Sequence, residues 1–301
     1  MNPLPVTVLI AAKNERVNLP KCLAAVIGRA VRVVVLDSHS TDGSADIARE
    51  CGAEVVQFDH RGGYPKKRQW ALDTLDIRTD WVFLLDADEV VPQALWDEVG
   101  RAIAEPTTPA AFLITKGFHF LGQRFRYGGF SFAAVLLFRK GRARFERLVD
   151  DPAGGLDMEV HERVIVDGPI GRLRPPLVHD DFKGLEAYLD RHNKYSTWEA
   201  RLRHRFLTTG EYGEQSVRPR LFGNAQERRR WLKKVAVRMP FEPCLWFLYH
   251  YLFKLGVLEG RRGRIACRIR AQYISDVRAK VYELATGCSE RHTPDTQPGG
   301  S

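Results

Sequence analysis

The chain has 301 residues, of which 44% are hydrophobic and 28% charged, and its formal net charge is +9. This length is sufficient to bury a large core, so the chain is not a peptide module, and the composition is that of a folded, aromatic-rich protein. The five scattered cysteines lack the close pairing of a zinc or disulfide framework, which favours a reducing compartment. The first residues run into a strand-like segment without a signal-peptide pattern, so we expect a cytoplasmic protein.

Short apolar runs and helical patterns alternate along the first hundred residues. Residues 6–12, 31–36, 54–58 and 81–85 have the composition of buried strands, and residues 18–28, 44–51, 66–75 and 93–104 that of helices. This alternation predicts strand and crossover-helix units that form a parallel sheet. Further strands are expected at 111–116 and 158–166, and strands broken by glycines over 118–132 and 135–139. Helices are expected at 185–206, 226–239, 243–258 and 264–284.

Acidic residues follow the fourth predicted strand at the point where it ends. Asp86 and Asp88 are one residue apart there, and such carboxylates can present oxygen ligands to Mg²⁺ or Mn²⁺. Polar loops also follow the first strand, with Lys13 and Glu15, and the second, beginning at Asp37. Open α/β sheets bind ligands beyond the carboxyl ends of their strands, so these loops predict one shared site. Each loop could instead simply cap the helix that follows it.

Basic residues are concentrated in the carboxy-terminal third. Residues 218–280 contain sixteen Lys or Arg and four acidic residues, a net charge of +12, whereas the rest of the chain is mildly acidic. The apolar run 243–258 is shorter than the roughly twenty residues of a membrane-spanning helix. We therefore expect an interfacial helix with Trp246, Tyr249 and Tyr251 at headgroup level, between basic stretches that attract anionic lipid. A helix packed in the core or against a second subunit is the alternative interpretation.

Four motifs in this order carry a resemblance to a known family: AAKNE, VVVLDSHSTDGS, KKRQWAL and WVFLLDADE. Together they resemble the inverting family-two glycosyltransferases, which have the GT-A nucleotide-diphospho-sugar transferase fold. The later segments VHERVIVDG, GRLRPPLVH and NKYS are similar to the lipopolysaccharide core, β-1,4-glucosyltransferase-like subgroup, so the resemblance covers residues 6–284. The chain departs from the usual pattern at His39 and Gln69, which leaves the donor sugar open.

The resemblance implies an α/β fold with a Rossmann-like, mostly parallel sheet and a helical carboxy-terminal region. Residues 1–183 would form the catalytic domain, with a nucleotide-sugar half at about 1–104 and an acceptor half at about 105–183. Residues 184–286 would form a helical, basic region that associates with a membrane or with another subunit. Residues 287–301 are expected to be a disordered tail.

The resemblance also implies a metal-assisted donor site. Glu15 and Asp37 would contact ribose and base, Arg68 would lie near the base or phosphates, and Asp88 would bind Mg²⁺ or Mn²⁺ directly. His179 would be a further metal or diphosphate ligand, although a lone histidine is more often structural. The expected donor-binding residues are Ala11, Lys13, Glu15, Asp37, Ser38, Arg68, Asp86, Ala87 and Asp88, and the expected metal ligands are Asp86, Asp88 and His179.

An inverting transfer needs a general base to remove the proton of the attacking acceptor hydroxyl. Glu162 is the candidate base, with His161 as a rival or an orienting partner. A salt bridge from Glu162 to Arg163 or Arg147 is the alternative interpretation. The metal would absorb charge as the nucleoside diphosphate departs, which is a Lewis-acid role.

The resemblance predicts a transferase with a UDP-sugar or ADP-heptose donor and a glycolipid acceptor, peripheral on the inner face of the cell membrane, with homo-oligomerisation left open. A nucleotidyltransferase of related fold is an alternative, but residues 11–14 lack the glycine-rich basic loop that it would need. The glycine fingerprint of a dinucleotide-dependent oxidoreductase is also absent from that turn. Charge alone permits a non-enzymatic nucleic-acid-binding protein, but the basic segment is interleaved with a long apolar run, so we expect no nucleic-acid partner.

Overall fold

The computed structural model describes residues 2–147, 157, 163–181, 183–210, 222, 235 and 237–287. The strands are β1 (Leu4–Ala12), β2 (Ala30–Asp37), β3 (Glu54–Gln57), β4 (Trp81–Asp86), β5 (Glu89–Val90), β6 (Ala111–Phe120), β7 (Gln123–Arg124), β8 (Phe132–Arg139), β9 (Ala143–Phe145), β10 (Val164–Val166), β11 (Ile170–Arg172) and β12 (Leu177–His179). The α-helices are α1 (Leu19–Ala24), α2 (Ser44–Glu50), α3 (Lys67–Thr74), α4 (Gln93–Ala104), α5 (Gly184–Thr209), α6 (Glu242–Leu248) and α7 (Gly260–Thr286).

The main sheet is mixed, in the order β3-β2-β1-β4-β8-β6-β12-β5, with β7 and β11 also paired to β6. Its first half, from β3 to β4, is parallel throughout. Strand β8 then runs antiparallel to both β4 and β6. The predicted parallel order is therefore confirmed for the first half of the sheet, and the second half is mixed because β8 enters between two strands of opposite direction to its own. Strands β9 and β10 form a separate pair.

Strand β1 lies at the centre of the core, and every residue from Val6 to Ala12 is buried. Val8 and Ile10 pack in the layer that contains Leu23 of α1 and Leu95 of α4. Leu9 packs in the opposite layer, which contains Ala71 of α3. Because helices cover both faces, the strand is apolar at every buried position except Thr7, rather than alternating.

The first four predicted strands and helices are confirmed, although α1 is shorter than the predicted 18–28. Predicted strand 111–116 extends to Phe120. The strands broken by glycines that were expected over 118–132 are seen as the end of β6, β7 and the start of β8, with Gly122, Gly128 and Gly129 between them. Only residues 164–166 of predicted strand 158–166 are seen as a strand, and residues 158–162 lie outside the described part of the chain. The helices predicted at 185–206 and 264–284 are confirmed as α5 and α7, whereas most of 226–239 is not described.

The helix predicted over 243–258 is wrong as a continuous element. Helix α6 is followed by a π-helical turn at Tyr249–Phe253 and a 3-10 turn at Gly256–Glu259. Between them Leu255 adopts a left-handed conformation with φ of 59°, and the Lys254 carbonyl accepts a hydrogen bond from the Gly128 N–H, 2.7 Å away. Tertiary hydrogen bonds of this kind replace the i→i−4 bonds that a continuous helix would make.

Aromatic side chains join the sheet to the helical region. We call this group the aromatic joint, and it consists of Phe118, Phe120, Phe125, Phe130 and Tyr188. The Phe118 and Phe130 rings are stacked at 5.2 Å, and the Phe120 and Tyr188 rings meet edge to face at 5.8 Å. The joint also packs against Ala266 of α7, so α5 and α7 are held against the end of β6.

A buried ion cluster fixes the helices to one another. Arg203 of α5 pairs with Glu199 and with Glu242 of α6, each at 2.9 Å. The Tyr273 hydroxyl of α7 donates to Glu199 at 2.6 Å. Within the described part of the chain, no helix combines the length and apolar character required to cross a membrane.

Candidate active site

The carboxyl ends of β1, β2 and β4 meet at one edge of the sheet. In the strand register Ala11 is opposite Asp86, and Ala12 is opposite Asp37. The structure thus brings Asp37 and Asp86 to either side of the end of β1, where the loop containing Lys13 begins. Ala11 and Ala87 are buried at the same edge, so these two residues provide backbone atoms there and no exposed side chain.

Asp86 is held by two cations. One carboxylate oxygen contacts Arg68 of α3, and the other accepts a hydrogen bond from Lys116 Nζ of β6 at 2.7 Å. Burial alone would raise the pKa of Asp86, but Arg68 and Lys116 hold it well below the usual range. Arg68, expected beside the donor, is therefore turned towards Asp86, and the carboxylate charge of Asp86 is neutralised within the protein.

Glu89 lies beneath this pair and is completely buried. Its carboxylate accepts the backbone N–H of Asp86 at 2.8 Å and pairs with Lys116 Nζ at 2.6 Å. Burial raises the pKa of Glu89 above its usual value, although Lys116 opposes the shift. Sequence reasoning missed Lys116, which is a lone cation inside an apolar strand.

Asp88 faces the other direction, towards His179. The distance from Asp88 Oδ2 to His179 Nε2 is 3.4 Å, and Arg191 Nη1 of α5 lies 3.9 Å from the same oxygen. Burial is the largest single influence on His179 and lowers its pKa, but the charge and hydrogen bond of Asp88, together with the charge of Glu89, raise the pKa to about 9. Burial is likewise the largest influence on Asp88 and raises its pKa, but His179 and Arg191 together lower the pKa below its usual value.

His179 reaches Asp88 because of strand pairing distant in sequence. In β12 it is opposite Phe118 of β6 on one side and Glu89 of β5 on the other. Carboxylate oxygens and imidazole nitrogens are both ligands that divalent cations take in proteins, so Asp88 and His179 are the residues that would hold such an ion. Within the described residues no group of three or more His, Cys, Asp or Glu side chains is arranged to hold a metal. The remaining ligands of such an ion would have to come from elsewhere.

Glu15 takes part in an ion network with the segment after β12. Lys183 Nζ lies 2.5 Å from one of its oxygens, and Asn18 donates to the other at 2.8 Å. Asn18 also donates to Asp181, which pairs with Arg191 at 2.7 Å. Burial is the largest influence on Glu15 and raises its pKa, against the opposing effect of Lys183.

Asp37 is buried and has its oxygens occupied by neighbouring side chains. It accepts hydrogen bonds from Ser40 Oγ at 2.5 Å and from Gln57 Nε2 at 3.0 Å. Ser38 is also buried, whereas Lys13 is exposed. His39 has a left-handed backbone with φ of 52° and pairs with Asp59 at 2.5 Å.

The structure therefore brings most of the expected donor and metal residues to one edge of the sheet. Two residues that were not among them, Lys116 and Arg191, also reach this edge. The candidate base Glu162 and its neighbour His161 lie outside the described residues. Lys116 and Arg191 were not expected. A pattern of local spacing could not identify them, because each reaches the site through a tertiary contact with Asp86 or Asp88.

Comparison with known proteins identifies the family of the amino-terminal half of the chain. Residues 7–151 match the model of glycosyl transferase family 2. The lipopolysaccharide core biosynthesis glycosyltransferase LpsC of Rhizobium meliloti is 25% identical over 287 residues, which cover 93% of each chain. An uncharacterised glycosyltransferase of Rickettsia bellii is 34% identical over 94 residues, and the match spans 31% of each protein.

Among solved structures, the chain is similar to glucosyl-3-phosphoglycerate synthase from Mycobacterium tuberculosis in complex with Mn²⁺, UDP and glucosyl-3-phosphoglycerate. The identity is 24% and the TM-score 0.29, over 39% of this chain and 44% of the other. Less than half of that enzyme's length is therefore matched. Residues 7–151 form a domain of glycosyl transferase family 2, and the chain is a glycosyltransferase.

Proposed function

We propose that the chain transfers a sugar, with inversion, from a nucleoside-diphosphate sugar to a glycolipid acceptor of the lipopolysaccharide type, assisted by Mg²⁺ or Mn²⁺. The observation that carries the proposal is the Asp88–His179 pair, 3.4 Å apart, at the edge where the parallel strands of the family domain end. Open α/β sheets bind their ligands at this edge. The acceptor class is supported by the similarity to LpsC over nearly the whole chain.

Asp88 and His179 would hold the divalent cation, with donor diphosphate oxygens as its other ligands. When bound, the cation would supply Lewis-acid stabilisation of the departing nucleoside diphosphate. Asp86 would act differently: its pairing with Arg68 and Lys116 holds the turn before Asp88 in place. Glu15 and Asp37 would lie beside the ribose and base, and the hydrogen bonds to both carboxylates orient them for that contact.

The donor is proposed to be a UDP-sugar or ADP-heptose. The acceptor would be presented at the inner face of the cell membrane, with which the enzyme would associate peripherally. Nothing in the described site resembles a nucleic-acid recognition module, and homo-oligomerisation stays an open part of the proposal.

Removal of the Asp88 carboxylate tests the metal assignment. We expect UDP or ADP to raise the melting temperature of the wild type only when Mn²⁺ is present, and Asp88→Ala and His179→Ala to abolish that stabilisation. Asp97→Ala, which removes an exposed carboxylate on α4, is the matched control and should respond like the wild type. Full stabilisation of Asp88→Ala by nucleotide with Mn²⁺ would show that the metal site is elsewhere.

Glu162 is the proposed general base, because inversion requires a group that takes the acceptor proton. We expect Glu162→Gln to bind donor nucleotide with Mn²⁺ normally and to lose transfer by on the order of 100-fold or more. His161→Ala, tested alongside, would show whether the imidazole orients the base or replaces it. Normal turnover by Glu162→Gln would remove this residue from the mechanism.

A further inference from the structure

A group of large apolar side chains is exposed where α6 ends. We call residues 241–258 the apolar wedge. Its exposed side chains include Phe253, which is 78% exposed, Phe241 at 69% and Leu258 at 60%. The other exposed members are Leu245, Leu248, Tyr249, Leu252, Leu255 and Val257. Proteins in water rarely expose this many neighbouring apolar side chains unless a partner covers them.

The apolar wedge is held in a fixed shape. His250 donates from Nδ1 to the Gly128 carbonyl at 2.6 Å, and its ring stacks on Trp246 at 3.6 Å. Glu259 accepts the backbone N–H groups of Arg126 and Tyr127 at 2.6 and 2.7 Å. The left-handed Leu255 is strained for a branched residue, and such strain persists where surrounding contacts enforce it. The exposed side chains are thus displayed by a structured turn.

The exposed charges next to the apolar wedge in the sequence all have the same sign. Between residues 237 and 270 both acidic residues, Glu242 and Glu259, are buried. Arg261, Arg264 and Arg268 of α7 are exposed and make no ion pair with another described residue. The exposed charged side chains in this range are all cationic: Arg238, Lys254, Arg261, Arg262, Arg264 and Arg268.

An anionic bilayer fits this combination better than a second copy of the chain. Exposed apolar groups can enter the acyl region while neighbouring cations contact lipid phosphates. A symmetric contact between two copies would instead place the same cations opposite each other, and like charges oppose association. Charge complementarity therefore selects the lipid surface.

A short series of packed side chains connects the apolar wedge to the candidate active site. Trp246 and His250 pack against Phe130, each with ring centres 6.2 Å apart. Phe130 stacks on Phe118, which is the register partner of His179. A membrane bound at the apolar wedge would therefore lie at a fixed position relative to Asp88 and His179.

We propose that the apolar wedge inserts into an anionic membrane, led by Phe253 and Leu258, with the α7 arginines on the lipid headgroups. Its role in presenting a glycolipid acceptor to the site rests on the proposed function, but membrane binding does not. Trp246 and Tyr251, expected at headgroup level, are only partly exposed because they stack on His250 and Phe247. Phe253 and Leu258 replace them as the leading side chains.

Vesicle co-sedimentation of the full chain tests this proposal. We expect binding to phosphatidylcholine vesicles that contain phosphatidylglycerol, little binding to phosphatidylcholine alone, and weakening by salt. Phe253→Ser/Leu258→Ser should reduce binding at least about tenfold, since two large apolar side chains no longer enter the bilayer. Arg261→Gln/Arg264→Gln should weaken binding and reduce its salt dependence. Tyr282→Ser is the control, because Tyr282 is 72% exposed near the far end of α7.

A second measurement reports insertion directly. Because the chain already contains six tryptophans, quenching is compared with the wild type. Phe253→Trp should add quenching by brominated lipids in anionic vesicles to the wild-type level, whereas Tyr282→Trp should add none. Unchanged vesicle binding by Phe253→Ser/Leu258→Ser would overturn the proposal. So would a dimer, seen by analytical ultracentrifugation, that this variant abolishes while vesicle binding persists.

Two variants distinguish failure of the membrane proposal from failure of the proposed function. Asp88→Ala should still bind vesicles, and Phe253→Ser/Leu258→Ser should still be stabilised by nucleotide with Mn²⁺. Failure of vesicle binding with normal nucleotide stabilisation would reject the apolar wedge and peripheral membrane association but not the metal site, and the reverse result would reject only the metal site.

Discussion

One buried lysine connects two carboxylates of the candidate site. Lys116 is 6% exposed and pairs with both Asp86 and Glu89. Burial disfavours its charge, but the two carboxylates raise the pKa of Lys116 above its ordinary value. Because Glu89 also accepts the Asp86 backbone N–H, the lysine stabilises the turn that carries Asp88.

Loss of this cation should therefore destabilise the fold. We expect Lys116→Met to lower the free energy of unfolding by about 3 kcal/mol, because it leaves buried carboxylates with less compensation. Urea denaturation measures the change, and Lys116→Arg should lose less because it keeps the charge. Arg49→Met is the control: Arg49 pairs with Asp46 on the surface, so its loss should cost within about 0.5 kcal/mol. Equal effects of Lys116→Met and Arg49→Met would show that the buried pairing contributes little.

At the scale of elements, the pairing of three strands decides where His179 lies. Strand β12 is held between β6 and β5, and Gly117 of β6 is opposite Val178. A Cβ atom on Gly117 would lie only 2.7 Å from the Leu177 carbonyl oxygen. Glycine thus permits the close approach of the two backbones that places His179 beside Asp88.

We expect Gly117→Ala to force β12 away from β6, with a cost of about 1–3 kcal/mol in unfolding free energy. The displacement of His179 should also weaken stabilisation by UDP with Mn²⁺. Gly100→Ala in α4 is the matched control, since its Cβ would meet Leu4 at an ordinary 3.4 Å. Alanine favours the helix there by roughly 0.5–1 kcal/mol. If both variants gave the wild-type response in urea and thermal-shift assays, the close approach at Gly117 would have no role in the site.

At the scale of the whole molecule, the sheet and the helices are coupled by the aromatic joint. Phe125 is only 2% exposed and meets Phe118, Phe120 and Phe130 edge to face. Arg191 of α5 lies near Asp88, so the helical region contributes to the site that the sheet forms. The aromatic joint therefore supports both stability and the placement of a residue from outside the family domain.

We expect Phe125→Ala to reduce the free energy of unfolding by about 3–5 kcal/mol, because it leaves a cavity in this joint. Phe132→Ala removes a ring that is 54% exposed and should cost much less. Urea unfolding followed by both tryptophan fluorescence and far-ultraviolet circular dichroism measures the difference. Similar losses for the two variants would show that the aromatic joint does not couple the regions.

The first half of the sheet and the position of its ligand edge follow from the sequence alone. Residues 6–12 are apolar except for Thr7, and residues 81–85 are apolar throughout, because both faces of these strands are covered. Such runs are visible in consecutive residues. Since parallel strands end on the same side, the polar residues after them had to converge. Asp37 and Asp86 are brought together for that reason.

The partners of the carboxylates and the exposure of the carboxy-terminal third depend on contacts between residues that are distant in the sequence. Lys116 lies 30 positions after Asp86 and Arg191 lies beyond the sheet, so no local period connects them to the motif. The apolar run 243–258 predicts a helix by composition, but contacts with Gly128 and the left-handed Leu255 break it. Pairing energies between distant residues exceeded the local helical preference there, and such pairings are set by packing rather than by neighbours in the chain.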